Sequence, residues 1–323
     1  MTGWSTELER WAVGYADRLR SGSGRDGVAI GGSIARAEQW PHSDLEIAIL
    51  VDRRDPAITH FNVDSGRGVE IFQLERTQLE GDLARIDAGT LDAVAAWPIQ
   101  LWRCHITHDP TGLLLRFATE FDRHLFSHQV TELKTRAHRS KVTSLISDTE
   151  KRLANGQPRA ALATLRNAMN ECILLLHWDL GELPRSQNRT ASRLLDLTER
   201  HGRQDFYQLF RDVYGLDSAR HAIGAAWPAC KQQVLALTER WEGRASRDFF
   251  TVAVDSDFTW GEDDSILCVY RLYVPQLGIL DSLDGPAYAA ENRSMLEFLG
   301  LDETNAGHVG DLLTRLGAAH SQR

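Results

Sequence analysis

The spacing of apolar positions changes character about a quarter of the way along the chain. Over residues 4–20, Leu8, Trp11, Ala12, Tyr15 and Leu19 recur at helical spacing, which predicts an amphipathic helix. Residues 21–27 are rich in Gly and Ser and read as turn. Val28-Ala29-Ile30 is a short apolar run and predicts a buried strand. Gly31-Gly32-Ser33 follows it, and Ile34 to Ala37 reads as a helix with Ser33 near its N-cap. Pro41-His42-Ser43 breaks that helix. Asp44 to Val51, DLEIAILV, alternates at its start and is apolar at its end, the pattern of a strand that runs inward. Gly66-Arg67-Gly68 predicts a turn and Val69 to Leu74 another strand.

From Arg76 onward the spacing is mostly helical. Helices are expected near 76–95, 112–121, 128–154, 158–179, 189–200, 204–213 and 218–241, punctuated by Pro110, Gly156, Pro158, Gly181 and Pro184. Residues 255–264 form an acidic stretch expected as a solvated turn, before an apolar run at 266–280 and a short helical tail. The fold class that results is α+β. A small mixed-sheet domain (1–125) precedes a helical substrate-binding domain (126–243) and a C-terminal extension (244–323).

Several local patterns fail on context. Gly22-x-Gly24-x-x-Gly27 has the letters of a dinucleotide fingerprint, but it follows a helix and opens a strand, the reverse of what that site needs. No GxxxxGK[ST] sequence occurs. Cys104-His105 and His108 lack a second ligand pair at zinc spacing. The 255–264 stretch lacks a closing Glu at calcium-loop distance.

Hydrophobic residues make up 42% of the 323 and charged residues 25%, which excludes wholesale disorder. Acidic residues number 45 against 36 basic, a net charge of −9. That balance disfavours a non-specific nucleic-acid binder and suits a cationic or small-molecule substrate. Only Lys134, Lys141, Lys151 and Lys231 are lysines, so the basic side is nearly all Arg. The four cysteines, Cys104, Cys172, Cys230 and Cys268, are widely spaced and predict free thiols in a reducing compartment. No signal-peptide pattern or long apolar run is present, so a cytoplasmic protein without a membrane span is expected.

One constellation stands out: Gly32-Ser33, then Ser43-Asp44-Leu45-Glu46, then Val69-Glu70. A strand that ends in paired glycines lets backbone approach a ligand closely. A hydroxyl and the free N–H groups of a helix start favour an anion. Asp44 and Glu46, two apart on a strand, point to one face. Their charges repel unless a cation sits between them. Glu70 opens a later strand and adds a third hard oxygen ligand, which together describe a magnesium–nucleotide site. Solvated edge-strand acids would explain Asp44 and Glu46 singly, but not the glycine–serine turn upstream.

These motifs resemble the polymerase-beta-like nucleotidyltransferases. Ser43-Asp44-Leu45-Glu46 with Val69-Glu70 is similar to the aminoglycoside branch, the kanamycin nucleotidyltransferases in particular. The specific match covers residues 28–75. The resemblance implies that Gly31, Gly32, Ser33, Arg36 and Ser43 bind the nucleotide and that Asp44, Glu46 and Glu70 hold Mg²⁺. It also implies a general base on a helix of the second domain, for which Glu171 is the candidate. Asn167 shares its face, and Leu175 stands where those enzymes carry a Lys. Arg185-Ser186 is a further phosphate candidate.

The implied activity is Mg²⁺-dependent transfer of a nucleoside monophosphate from an NTP, ATP first, to a hydroxyl of a small molecule. An aminoglycoside-like antibiotic or a natural-product intermediate would serve as acceptor, and pyrophosphate would leave. A homodimer is allowed. The alternatives are a toxin–antitoxin-type transferase that modifies a protein or RNA, and a nucleotide-binding regulator.

Overall fold

The computed structural model describes residues 3–21, 25–184, 189–216, 231–232, 236, 239, 247–253, 255, 264, 267, 270 and 279–321. The expected helix at 218–241, the Arg185-Ser186 pair and most of the 255–264 and 266–280 stretches lie outside them. The chain divides into two compact units, one of residues 1–134 with 248–253, the other of 135–247 with 254–323. The stretch 244–323, expected as an extension, therefore contributes to both.

In the first unit, α1 (Gly3–Arg20) precedes β1 (Arg25–Ile30), the single turn α2 (Gly32–Ala35) and β2 (Leu45–Val51). Then come the hairpin β3 (Phe61–Asp64) and β4 (Arg67–Glu75), α3 (Arg76–Asp87), α4 (Asp92–Ala96), β5 (His105–His108) and α5 (Leu113–His124). The sheet is mixed and five-stranded, in the order β3-β4-β2-β1-β5. β2 runs antiparallel to β1 and parallel to β4, and β3 and β5 form the edges.

Alternation divides the sheet into two faces. Leu45, Ile47, Ile49 and Val51 of β2 join Val69 and Ile71 of β4 and Val28 and Ile30 of β1 in one core. Ala12, Tyr15 and Ala16 of α1 cover that core, with Trp11 and Leu19 partly buried at its margin. The helical stripe read from 4–20 is thus the face that α1 buries. Glu46 and Glu70, one residue out of phase with Leu45 and Val69, belong to the opposite face.

Three local readings change. The hairpin turn is Ser65-Gly66, not Gly66-Arg67-Gly68. Both residues have positive φ, 53° and 74°, the type I′ geometry whose twist matches flanking strands. Arg67 and Gly68 are therefore already strand and pair with Asp64 and Val63. The helix over 76–95 is interrupted at 88–91 and becomes α3 and α4. Ser33 is not an N-cap: α2 starts from Gly31, without a side-chain cap bond.

In the second unit, α7 (Pro158–Asp179) is buried along most of its length. α6 (His128–Ala154), α8 (Thr190–Arg200) and α9 (Gln204–Tyr214) are the other long helices described before the helix Val309–Ser321. Arg166 of α7 is fully buried without a carboxylate partner in its hydrogen-bond set. Its guanidinium donates to the carbonyls of Val213 (2.9 Å), Tyr214 (3.1 Å), Gly300 (2.8 Å) and Leu299. Those carbonyls end α9 and the helix Arg293–Phe298, where helix dipoles present partial negative charge. Burial accordingly lowers the pKa of Arg166, against opposing contributions from Tyr270 and Tyr214.

Two aspartates from the late chain cap helices of this unit. Asp284 accepts from the N–H groups of Arg159 and Ala160, both at 2.9 Å. Asp264 is buried and accepts from Ala191 N at 2.6 Å and from the Ser192 hydroxyl. Asp264 is thus no solvated turn residue: it satisfies the first N–H groups of α8, which a helix leaves unpaired.

Candidate active site

The carboxylates come together through strand register. β2 and β4 run parallel with Glu46 directly beside Glu70 and Leu45 beside Val69. Asp44 is the residue just before β2, and on the sequence period it shares Glu46's face. Asp44 and Glu46 are partly buried. Burial, then the charge of Glu70, raises the carboxyl pKa of Asp44 to about 6. Glu46 is pushed well above the usual range by burial first and by Asp44 and Glu70 next, while Arg36 partly offsets them. Both shifts have the sign of anions crowded at low dielectric without an opposing charge between them.

The turn after β1 fits closely over this cluster. Gly31 N donates to the Glu46 carbonyl at 2.7 Å, which ties the turn to β2. Gly32 has φ +66°, and a Cβ there would overlap the Glu46 carboxylate. Only glycine meets both demands. The Glu46 Oε2 atom is buried with no hydrogen-bond partner, and so is Nη1 of Arg36. Arg36 also donates to Glu38 at 3.2 Å.

The two serines serve the loop as it stands. Ser33 Oγ donates to Ser43 Oγ at 3.0 Å, and buried Ser43 also accepts from Trp40 N at 3.0 Å. Their hydroxyls close the 33–43 connection and so set the path from α2 into β2.

His60 and Phe249 are neighbours that the sequence reading does not name. Nε2 of His60 lies 3.0 Å from Glu70 Oε1. Its Nδ1 lies 2.9 Å from the Ile71 carbonyl, and Ile71 N donates to the His60 carbonyl at 2.7 Å. The pairing is made by the chain returning along β4, so a lone loop histidine gives no signal of it. Phe249 packs on Phe61 at 4.7 Å between centroids and lies against Gly68, next to Asp44.

Among the described residues, no three His, Cys, Asp or Glu side chains form a finished metal site. The donor chemistry of Asp44 and Glu46 nevertheless fits a hard divalent cation. Their oxygens are crowded, raised in pKa, and one is buried without a partner. Glu70 stands beside them but is engaged by His60. Cys104 and Cys172 are free thiols, and burial pushes Cys104 up to about 12, too high for a thiolate ligand at neutral pH.

Glu171 sits on α7 in the second unit. Its Oε2 lies 2.6 Å from His138 Nδ1, and its Oε1 lies 3.6 Å from Lys141 Nζ. Burial raises its pKa, but the His138 hydrogen bond and the Lys141 charge outweigh this and hold it below the usual range. An ammonium thus reaches Glu171 from α6, while Leu175 on its own helix is buried.

No family model matches this chain, and no curated protein matches it. Among solved structures, it is similar to a nucleotidyltransferase-like protein from Exiguobacterium sibiricum 255-15. The two are 13% identical over 96% of this chain and 92% of that one, with a TM-score of 0.34. Among the described residues, no helix is long and apolar enough to cross a membrane.

Proposed function

We propose that this chain is a Mg²⁺-dependent nucleotidyltransferase that moves a nucleoside monophosphate from an NTP to a hydroxyl of a small molecule. The carrying observation is the union of two features: Asp44 and Glu46 at the start of β2, raised in pKa with Glu70 of the parallel strand beside them, and a glycine turn pressed against Glu46. Edge-strand acids in water would show neither raised pKa values nor an unpartnered buried oxygen.

Asp44 and Glu46 would hold the ion, which when bound screens phosphate charge and polarises the α-phosphorus. The Gly31-Gly32-Ser33 turn has no bulk beyond Ser33, so a triphosphate can lie along its backbone. Arg36 offsets the negative charge of Glu46 from the side. The acceptor oxygen bonds to the α-phosphorus in line with the bond to the β-phosphate. That bond breaks and pyrophosphate leaves with the electron pair. The acceptor proton goes to a carboxylate. We assign it to Glu70, which lies beside Glu46, rather than to Glu171, whose ion pairs hold it ionised and weakly basic.

Incubation with each NTP and Mg²⁺ against a panel of acceptors, followed by phosphorus NMR and product mass, tests the reading. Pyrophosphate and a nucleotidylated small molecule are expected. Nucleotidylated protein or RNA would redirect it to a macromolecular target, and Mg-NTP binding without pyrophosphate would leave a regulator. Loss in Glu70→Gln with less than about tenfold loss in Glu171→Gln is the expected split, because a general base is worth ~10²–10⁴-fold.

A further inference from the structure

A cavity of about 490 Å³ lies within the first unit, along β4, α3 and α4. Its volume falls in the range of small-molecule sites, roughly 300–1,000 Å³. Phe72 and Leu74 line it, and these are the next two residues after Glu70 on Glu70's own face of the strand. At a strand rise of ~3.3 Å per residue Phe72 lies about 7 Å beyond Glu70 along the strand. His60 lines the cavity and also contacts the Glu70 carboxylate, so it borders both.

The lining chemistry is specific. Ile58, Phe72, Leu74, Leu79, Ala93 and Trp97 form its apolar and aromatic part, and polar and charged residues line the rest. Its charges are paired internally. Arg54 lies 3.0 Å from Glu75, and Arg85 lies 2.7 Å from Asp82, which also accepts from Trp97 Nε1 at 3.0 Å. Neither lining carboxylate is left over to hold an ammonium. A polycationic sugar would have to compete with Arg54 and Arg85 for these carboxylates and would meet their like charge. A flat aromatic body loses only water.

We propose that this cavity seats the acceptor and selects an aromatic or apolar molecule bearing a hydroxyl, rather than a polyamine. The proposal rests on the nucleotidyltransferase reading for the reaction, but the binding it asserts does not. In it, the acceptor lies along Phe72 and Leu74 with its hydroxyl toward Glu70. The oxygen joins the α-phosphorus, pyrophosphate leaves, and the proton passes to Glu70.

The test uses the full chain with 2-naphthol as aromatic probe and kanamycin as polycationic probe, titrated by calorimetry and saturation-transfer NMR. Ala96 stands exposed at the cavity wall, so Ala96→Trp fills the space without displacing core, and exposed Gln78→Trp is the second blocking variant. 2-Naphthol should bind wild type and Asp44→Asn alike, and either blocking variant that keeps the wild-type circular dichroism should lose at least about tenfold in affinity. Kanamycin should not displace it. Unchanged 2-naphthol affinity in a folded blocking variant, or displacement by kanamycin, overturns the proposal. Mg-ATP affinity, measured on the same samples, separates the two claims. Mg-ATP binding without 2-naphthol binding removes the cavity assignment alone. 2-Naphthol binding without Mg-ATP binding keeps the cavity as an aromatic site and removes the nucleotidyltransferase reading.

Discussion

Substituting Asp44 tests the site through stability as well as turnover. Its carboxyl is raised from 3.8 to about 6 by burial and by Glu70. A rise of about two units is on the order of 3 kcal/mol of disfavoured charge. Relaxation of neighbours in Asp44→Asn returns part of it, so the metal-free variant should be more stable than wild type by roughly 1–3 kcal/mol near neutral pH. For a unit of this size that is a Tm rise of roughly 2–10 °C. The pH dependence has a defined sign. An unfolded Asp ionises near ~3.9, so between there and about pH 6 the folded protein holds a proton that the unfolded chain has lost. Wild-type stability therefore falls as pH rises through that window, and the fall shrinks in Asp44→Asn. The two proteins should match near pH ~4 and separate by pH ~7. Adding Mg²⁺ and ATP should stabilise wild type and hardly move the variant. Thermal unfolding across this pH range, with and without Mg-ATP, measures all of it alongside pyrophosphate release. A metal-free Asp44→Asn that is less stable than wild type at neutral pH would refute the repulsion argument. Full turnover in that variant would remove Asp44 from the site.

Two further substitutions probe the turn and the second unit. Gly32→Ala places a Cβ at positive φ, a cost of roughly 1–2 kcal/mol, and into the Glu46 carboxylate, so urea unfolding should show a larger loss and calorimetry weakened Mg-ATP binding. Arg166→Met leaves the carbonyls of Val213, Tyr214, Leu299 and Gly300 without their donor, and denaturant titration should show a loss of roughly 3–5 kcal/mol, the scale for breaking a buried charged network. A loss under about 1 kcal/mol would mean that water or a shifted chain replaces the guanidinium.

The elements with strong periodicity were legible in the chain. α1, β2, α5, α8 and α9 follow from the spacing of Leu, Ile, Val and aromatic residues, because a face that must be buried imposes its period on the sequence. The Gly32, Asp44, Glu46 and Glu70 pattern was equally legible. Close backbone approach and like charges on one strand face are local demands, and they leave residue-type signatures. β3 and β5 were not legible. Each has four residues, lies at a sheet edge and carries too few buried positions to show alternation. Ser33 reads as a cap on propensity, yet tertiary contact with Ser43 takes its hydroxyl.

What the linear order could not express is which distant residues finish each site. Register alone sets Glu46 beside Glu70. The return of the chain along β4 sets His60 against Glu70, and residues 248–253 bring Phe249 to Gly68. Asp264 and Asp284 cap helices that lie 72 to 125 residues away in sequence. Arg166 neutralises its charge on carbonyls up to 134 residues distant. The physical reason is common to all of these. A periodic face is dictated by the need to bury apolar area within one element. Pairing a charge, an N–H or a carbonyl depends on which partner packing delivers, and many residues along the chain would serve equally well until the fold selects one.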